Sequence, residues 1–251
     1  MTHSFLLIGQ SNAAGRGFIN EAEPLDTCGG NLLVLRNGKW LKMYRPVNPD
    51  RPFSGVTFAE SFAKAYYEMN SEVKVGIIPC ADGGTKIEQW MPGEILFDNA
   101  VNCAKLAMRT SNLVVILWHQ GESDCKDERY IHYTERFRIV MDALRKELGM
   151  PDIPILVGGL GDYLTNCTYL EGCEKYPLIN EQLERLAKEY HRCYFVSAKG
   201  LGANPDNLHF NADAQKEFGL RYFDVFKNIE IDISDFSEIK EDAARSAIEL
   251  L

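Results

Sequence analysis

Short apolar runs alternate along this chain with longer stretches of helical spacing, and that alternation restricts the fold more than any other feature. The runs fall at 5–8, 73–79, 113–118, 155–157 and 193–196. Each is too short for a buried helix and suits a strand covered on both faces. Between them lie 56–69, 95–108, 128–148, 177–190 and 212–226, where apolar residues recur three or four apart. Strands alternating with helices predict βαβ units, right-handed crossovers and a mostly parallel sheet. Five strands with helices on both faces make a three-layer α/β/α sandwich of flavodoxin-like form, read as one domain over 1–251. Two stretches depart from the pattern. At 31–44, Arg36-Asn37-Gly38-Lys39 separates two apolar runs, a hairpin signal read as an insertion. At 234–251 a charged stretch ends in Ala, Ile and Leu, which suits a docked terminal helix or an oligomer contact, and the oligomeric state stays open.

Composition narrows the function. A formal net charge of -9 argues against the basic face that nucleic-acid binding needs. No stretch approaches the ~20 apolar residues of a membrane helix. The N-terminus lacks a basic region followed by a long apolar one, so no signal peptide is read and a cytoplasmic location is expected. Seven scattered cysteines with no C-x-x-C pair read as reduced thiols, although Cys167 and Cys173 are spaced to close a local loop.

The ends of the runs carry the chemistry. The first stops at Gly9-Gln10-Ser11-Asn12-Ala13, which puts Ser11 in a strand-to-helix turn. Backbone N–H groups there are unpaired and suit a developing oxyanion. The serine is not in a G-x-S-x-G elbow, and a helix N-cap accounts for a lone serine equally well. After the second run, Gly83-Gly84 offers a close backbone approach, and Trp90 suits a sugar-stacking platform or the core. The third run ends in His119-Gln120-Gly121-Glu122-Ser123-Asp124. Gln120 can donate an amide to an oxyanion, and Glu122 can bind substrate or steady a histidine. A metal site from His119, Glu122 and Asp124 lacks a recognised zinc spacing, so no metal is expected. Asp206 and His209 lie three apart before the last helix, where the carboxylate can accept from the imidazole and turn its other nitrogen outward as a base. Arg16 reads as a surface arginine paired with Glu21 or Glu23.

In this order the motifs resemble the SGNH/GDSL hydrolase superfamily, in the branch of carbohydrate esterase family 6 acetylxylan esterases and the sialate O-acetylesterase domain. The matching residues are G-Q-S-N-A at 9–13, G-G-T-x-I-x-x-W at 83–90, H-Q-G-E-S-D at 119–124 and D-x-x-H at 206–209. The resemblance implies Ser11 as nucleophile, His209 as base and Asp206 as its orienter. It implies an oxyanion hole from the Ser11 N–H, a glycine N–H at Gly83 or Gly84, and the Gln120 side chain. Gln10, Asn12, Glu122 and Trp90 are the expected substrate-binding side chains. The expectation is a serine esterase that removes O-acetyl groups from a small acetylated carbohydrate such as a xylo-oligosaccharide, with no cofactor and no nucleic-acid or membrane partner. The alternative is a non-catalytic carbohydrate-binding protein on the same fold. A phosphate-ester enzyme finds no phosphate-binding loop here.

Overall fold

A computed structural model describes residues 1–231 of the chain. The elements run β1 (Thr2–Gly9), α1 (Ser11–Ala14), β2 (Leu32–Arg36), β3 (Lys39–Lys42), α2 (Phe58–Met69), β4 (Lys74–Pro79), α3 (Ile95–Ala107), β5 (Asn112–His119), α4 (Tyr133–Leu148), β6 (Ile155–Gly158), α5 (Tyr176–Glu189), β7 (Cys193–Val196) and α6 (Ala212–Phe226). The tail expected at 234–251 lies outside the described residues.

The continuous apolar run of β1 has a direct cause. Phe5 and Leu7 enter one core cluster and Leu6 and Ile8 the other, so every side chain of the run is buried on one face or the other. On the first face lie Phe58 and Phe62 of α2 with Phe218 and Tyr222 of α6. On the second lie Phe97 of α3, Phe137 and Met141 of α4, and Ile179 and Leu183 of α5. Strand order is β3-β2-β4-β1-β5-β6-β7, parallel except for β3. The sheet therefore has seven strands where the sequence suggested five. The hairpin read as an insertion forms β2 and β3, and β2 pairs in parallel with β4. Trp40 explains the attachment: its ring lies over Gly76, where a Cβ would come within 2.4 Å of it.

Local signals set the helix ends. Thr57 accepts from the Ala59 N–H and the Glu60 carboxylate reaches back to the Thr57 N–H, a capping box that starts α2. Asn211 caps α6 through the Ala214 N–H at 2.8 Å. Gly149 at φ 66° stops α4. Residues 129–132 form a 3-10 turn rather than the first turn of α4.

Candidate active site

Strands β4, β1 and β5 are adjacent and parallel, so the loops leaving their C-terminal ends emerge side by side. Gly9 makes the first turn possible. Its φ is +130°, and a Cβ there would sit 2.0 Å from the His119 carbonyl oxygen. The Gln10 N–H then donates to that carbonyl at 2.9 Å, and α1 begins at Ser11.

Ser11 Oγ lies 3.0 Å from His209 Nε2, 198 positions further along the chain. His209 Nδ1 is 2.7 Å from Asp206 Oδ2. A carboxylate only accepts, so Nδ1 holds the proton and Nε2 turns its lone pair to the hydroxyl. Asp206 Oδ1 accepts the N–H of Leu208 at 2.9 Å and of His209 at 3.0 Å. Burial pushes the Asp206 carboxyl up, but the imidazole and these two N–H groups outweigh it and hold the group below its ordinary range.

Asn12 and Glu122 do not face the cleft, contrary to their expected substrate-binding role. Asn12 is fully buried and brackets His209 from both sides. Its Oδ1 accepts the Phe210 N–H at 3.0 Å, and its Nδ2 donates to the Leu208 carbonyl at 3.2 Å and to Glu122 Oε1 at 2.6 Å. Glu122 is sealed beneath it, with His119 Nε2 3.3 Å away but off the hydrogen-bond axis. Burial raises the Glu122 carboxyl, yet His119 and Asn12 more than compensate and keep it low.

The donors differ from expectation as well. The Gly83 N–H is already committed to Asp50 Oδ2 at 2.8 Å. The Ser11 and Gly84 N–H groups have no acceptor among the described residues, and Gly84 is exposed. Gln120 is fully buried, and its amide faces Gln10 Oε1, the Thr85 carbonyl and Asp124 Oδ2, which leaves no hydrogen for a substrate. Gln10 offers its oxygen inward, to Gln120 and to the N–H groups of Gly121 and Ser123. Trp90 is not a sugar platform. It is 1% exposed, donates Nε1–H to Thr85 Oγ1 and sets its ring edge-to-face with Trp118.

Arg16 pairs neither with Glu21 nor with Glu23. It is buried and grips Asp50 through two bonds of 2.9 and 2.7 Å. Arg51 bonds Asp82 and the Gly83 carbonyl, and Asn48 clasps the Ala81 N–H and carbonyl. This brace behind Gly83 was missed in the sequence. Its signal was the loop Asn48-Pro49-Asp50-Arg51-Pro52, too rich in charge and proline to be packing alone. Of His119, Glu122 and Asp124, the first two lie against each other, with His119 Nδ1 at the Gly158 carbonyl, whereas Asp124 turns to the Ile87 N–H and the Gln120 amide.

Residues 1–228 match the family model described as carbohydrate esterase, sialic acid-specific acetylesterase. The chain is 30% identical over 243 residues to the probable carbohydrate esterase At4g34215 of Arabidopsis thaliana, covering 86% of each chain. The X-ray structure of that Arabidopsis protein superposes with a TM-score of 0.78 at 26% identity, covering 90% of this chain and 98% of the other. The crystal structure of NanS gives a TM-score of 0.70 at 16% identity, over 90% and 97% of the two chains. XAC1771, a carbohydrate acetylesterase from Xanthomonas citri, gives 0.63 at 18%, over 88% of this chain and 55% of that one.

Proposed function

Because this chain belongs to the sialic acid-specific acetylesterase family of carbohydrate esterases, and is thereby a carboxylic ester hydrolase, we propose that it removes O-acetyl groups from a small carbohydrate, such as an acetylated xylo-oligosaccharide, through an acyl-enzyme on Ser11. The observation that carries this reading is the continuous chain of hydrogen-bonding groups Ser11–His209–Asp206 at the sheet edge.

A serine hydroxyl is a weak nucleophile at neutral pH and needs an adjacent base. His209 Nε2 takes the Ser11 proton as Oγ bonds to the acetyl carbon, and the carbonyl π pair moves onto its oxygen. The Ser11 and Gly84 N–H groups are the free backbone donors for that oxyanion, each such donor being worth ~3–4 kcal/mol of barrier. When the pair returns, the bond to the sugar oxygen breaks and His209 hands that oxygen its proton. Water, deprotonated by the same imidazole, then bonds to the acyl carbon; as the bond to Oγ breaks, His209 returns the proton to Ser11 and acetate leaves. Asp206 stays ionised and stabilises the imidazolium at each stage.

Phe53 replaces Trp90 as the sugar-facing aromatic in this reading. It is 69% exposed, and the Arg16 guanidinium lies 5.2 Å from its ring centroid. That same guanidinium would be 2.4 Å from a Cβ on Gly83, a point itself 3.5 Å from Ser11 Cβ. An exposed ring stacked on the arginine that lines Gly83 suits the apolar face of a sugar. Seven free thiols fit work in a reducing compartment such as the cytoplasm.

The test is acetate release from 4-nitrophenyl acetate and a panel of acetylated mono- and oligosaccharides by wild type and Ser11→Ala. Turnover that survives in the variant rejects the reading. Failure of a fluorophosphonate to label wild-type Ser11 favours a binding protein instead.

A further inference from the structure

We infer that the side-chain amide of Gln10 is a third donor to the oxyanion, and that Gln120 holds it in place rather than donating itself. The inference rests on the esterase reading above. It begins with an oxygen that has more partners than it needs. Gln10 Oε1 accepts from Gln120 Nε2 at 3.2 Å, from the Gly121 N–H at 3.3 Å and from the Ser123 N–H at 3.3 Å. With the oxygen directed at three donors, the planar amide must turn its NH2 the other way.

The opposite amide assignment fails on chemical grounds. It would set the Gln10 NH2 against two backbone N–H groups and a second NH2, donors facing donors. Gln120 obeys the same logic from the other side. Its nitrogen meets three acceptors, Gln10 Oε1, the Thr85 carbonyl and Asp124 Oδ2, so exchanging its oxygen into that position would set four oxygens together. Its own oxygen is sealed from solvent without a partner. Gln120 therefore has nothing to offer a substrate.

Gln10 Nε2 is different. It has no acceptor among the described residues, and it is not among the buried atoms sealed from solvent. The residue as a whole is 2% exposed, so what little it shows to solvent includes the amide nitrogen. It directly precedes Ser11, and its main-chain carbonyl accepts the N–H groups of Ala13 and Ala14. Its side chain stands where the loops after β4 and β5 meet, since Gln120 bridges it to Thr85 and Asp124 also accepts the Ile87 N–H. The relay is Asp124 to Gln120 to Gln10, ending in two amide hydrogens on the residue that directly precedes the nucleophile. Preorganised donors of this kind need no rearrangement as charge develops, which is why they favour the transition state over the bound ester.

Gln10→Glu tests the inference with little risk to the fold. It keeps an oxygen for Gln120, Gly121 and Ser123 and exchanges the donor for an acceptor. With 4-nitrophenyl acetate, kcat falls ~10²–10³-fold while KM stays within about threefold. Gln10→Ala falls as far, with a lower melting temperature. Gln120→Ala loses less, and the Gln10→Ala/Gln120→Ala double variant is no slower than Gln10→Ala alone, because the holder has nothing left to hold. A folded Gln10→Glu variant with wild-type kcat overturns the inference, and so do losses at the two positions that multiply. A wild-type protein that hydrolyses no ester and takes no fluorophosphonate fails at the earlier reading and removes this one with it, whereas an active wild type with an indifferent Gln10 rejects this inference alone.

Discussion

At the scale of single residues, the Asp206 carboxylate does two jobs that separate by pH and by variant. It fixes the His209 tautomer, and it ends the loop by accepting two N–H groups. Asp206→Asn keeps an oxygen for the loop and loses the charge, so it should lower kcat by ~10²–10³ with the fold intact, and His209→Ala should cost more. Because the folded carboxyl titrates below its unfolded value of about 3.9, its contribution to stability is present above that pH and is lost as pH falls through the lower folded value. Urea midpoints of wild type and Asp206→Asn should therefore differ at pH 7 and draw together as pH falls below about 4. A gap that stays constant over that range contradicts the assignment. That Ser11, His209 and Asp206 would meet was legible, because residue type and position at a strand end suggested it and the hydrogen bonds join them. Trp90 was not, because an indole looks the same in sequence whether it stacks on a sugar or on Trp118, and only burial separates the two. The replacement aromatic makes its own prediction: Phe53→Ala should raise KM for an acetylated oligosaccharide several-fold and leave kcat for 4-nitrophenyl acetate unchanged, because only the sugar reaches the ring.

At the scale of elements, the loops after β4 and β5 are joined by one carboxylate. Asp124 Oδ2 takes the Ile87 N–H from one loop and the Gln120 amide from the other. Burial pushes this group up to about 6, and the two donors only partly offset it. The folded chain then binds a proton between about pH 4 and 6 that the unfolded chain releases, so ionised Asp124 costs stability above about 6 and the cost is relieved as pH falls through that window. The shift corresponds to on the order of 3 kcal/mol. Asp124→Asn keeps the acceptor and removes the charge. Thermal unfolding from pH 4 to 8 should show wild type gaining on the variant as pH falls, and a pH-independent difference would rule out a buried titrating carboxyl. The strands and helices themselves were readable from periodicity. What periodicity missed was attachment: an Asn-Gly turn announces a hairpin but not that Trp40 will lay it against Gly76 and add two strands to the sheet. The brace of Arg16, Asp50 and Arg51 was equally hidden, because pairing between segments distant in sequence leaves no local pattern.

At the scale of the whole molecule, the site exists only because the segments around Ser11 and His209 are held together, and one side chain holds much of that join. Asn12 stands next to the nucleophile and touches residues on both sides of His209, spanning 198 residues from Asn12 to Phe210. Glu122 fixes which way the amide faces: its carboxylate takes the NH2, which leaves the oxygen for the Phe210 N–H. Helix α6 adds a second tie, since Gln215 donates to the Asn12 carbonyl at 3.1 Å and accepts the Phe58 N–H of α2 at 2.8 Å. Asn12→Ala strips partners from a buried N–H and a buried carboxylate, each costing about 1–3 kcal/mol, so a stability loss of roughly 2–4 kcal/mol is expected. The loop bearing His209 then loses its register with Ser11. kcat should fall ~10–100-fold with KM nearly unchanged, because a small displacement of a base harms reaction far more than binding. Asn12→Asp is the sharper probe. It preserves shape but sets a second carboxylate against Glu122, so at pH 8 it should be less stable than Asn12→Ala and should recover on acidification as one of the two takes a proton. Paired urea unfolding and steady-state kinetics at pH 5 and pH 8 measure both effects. If Asn12→Asp matches wild type at pH 8, the amide is not oriented by Glu122, and the join between the Ser11 and His209 segments rests on something else.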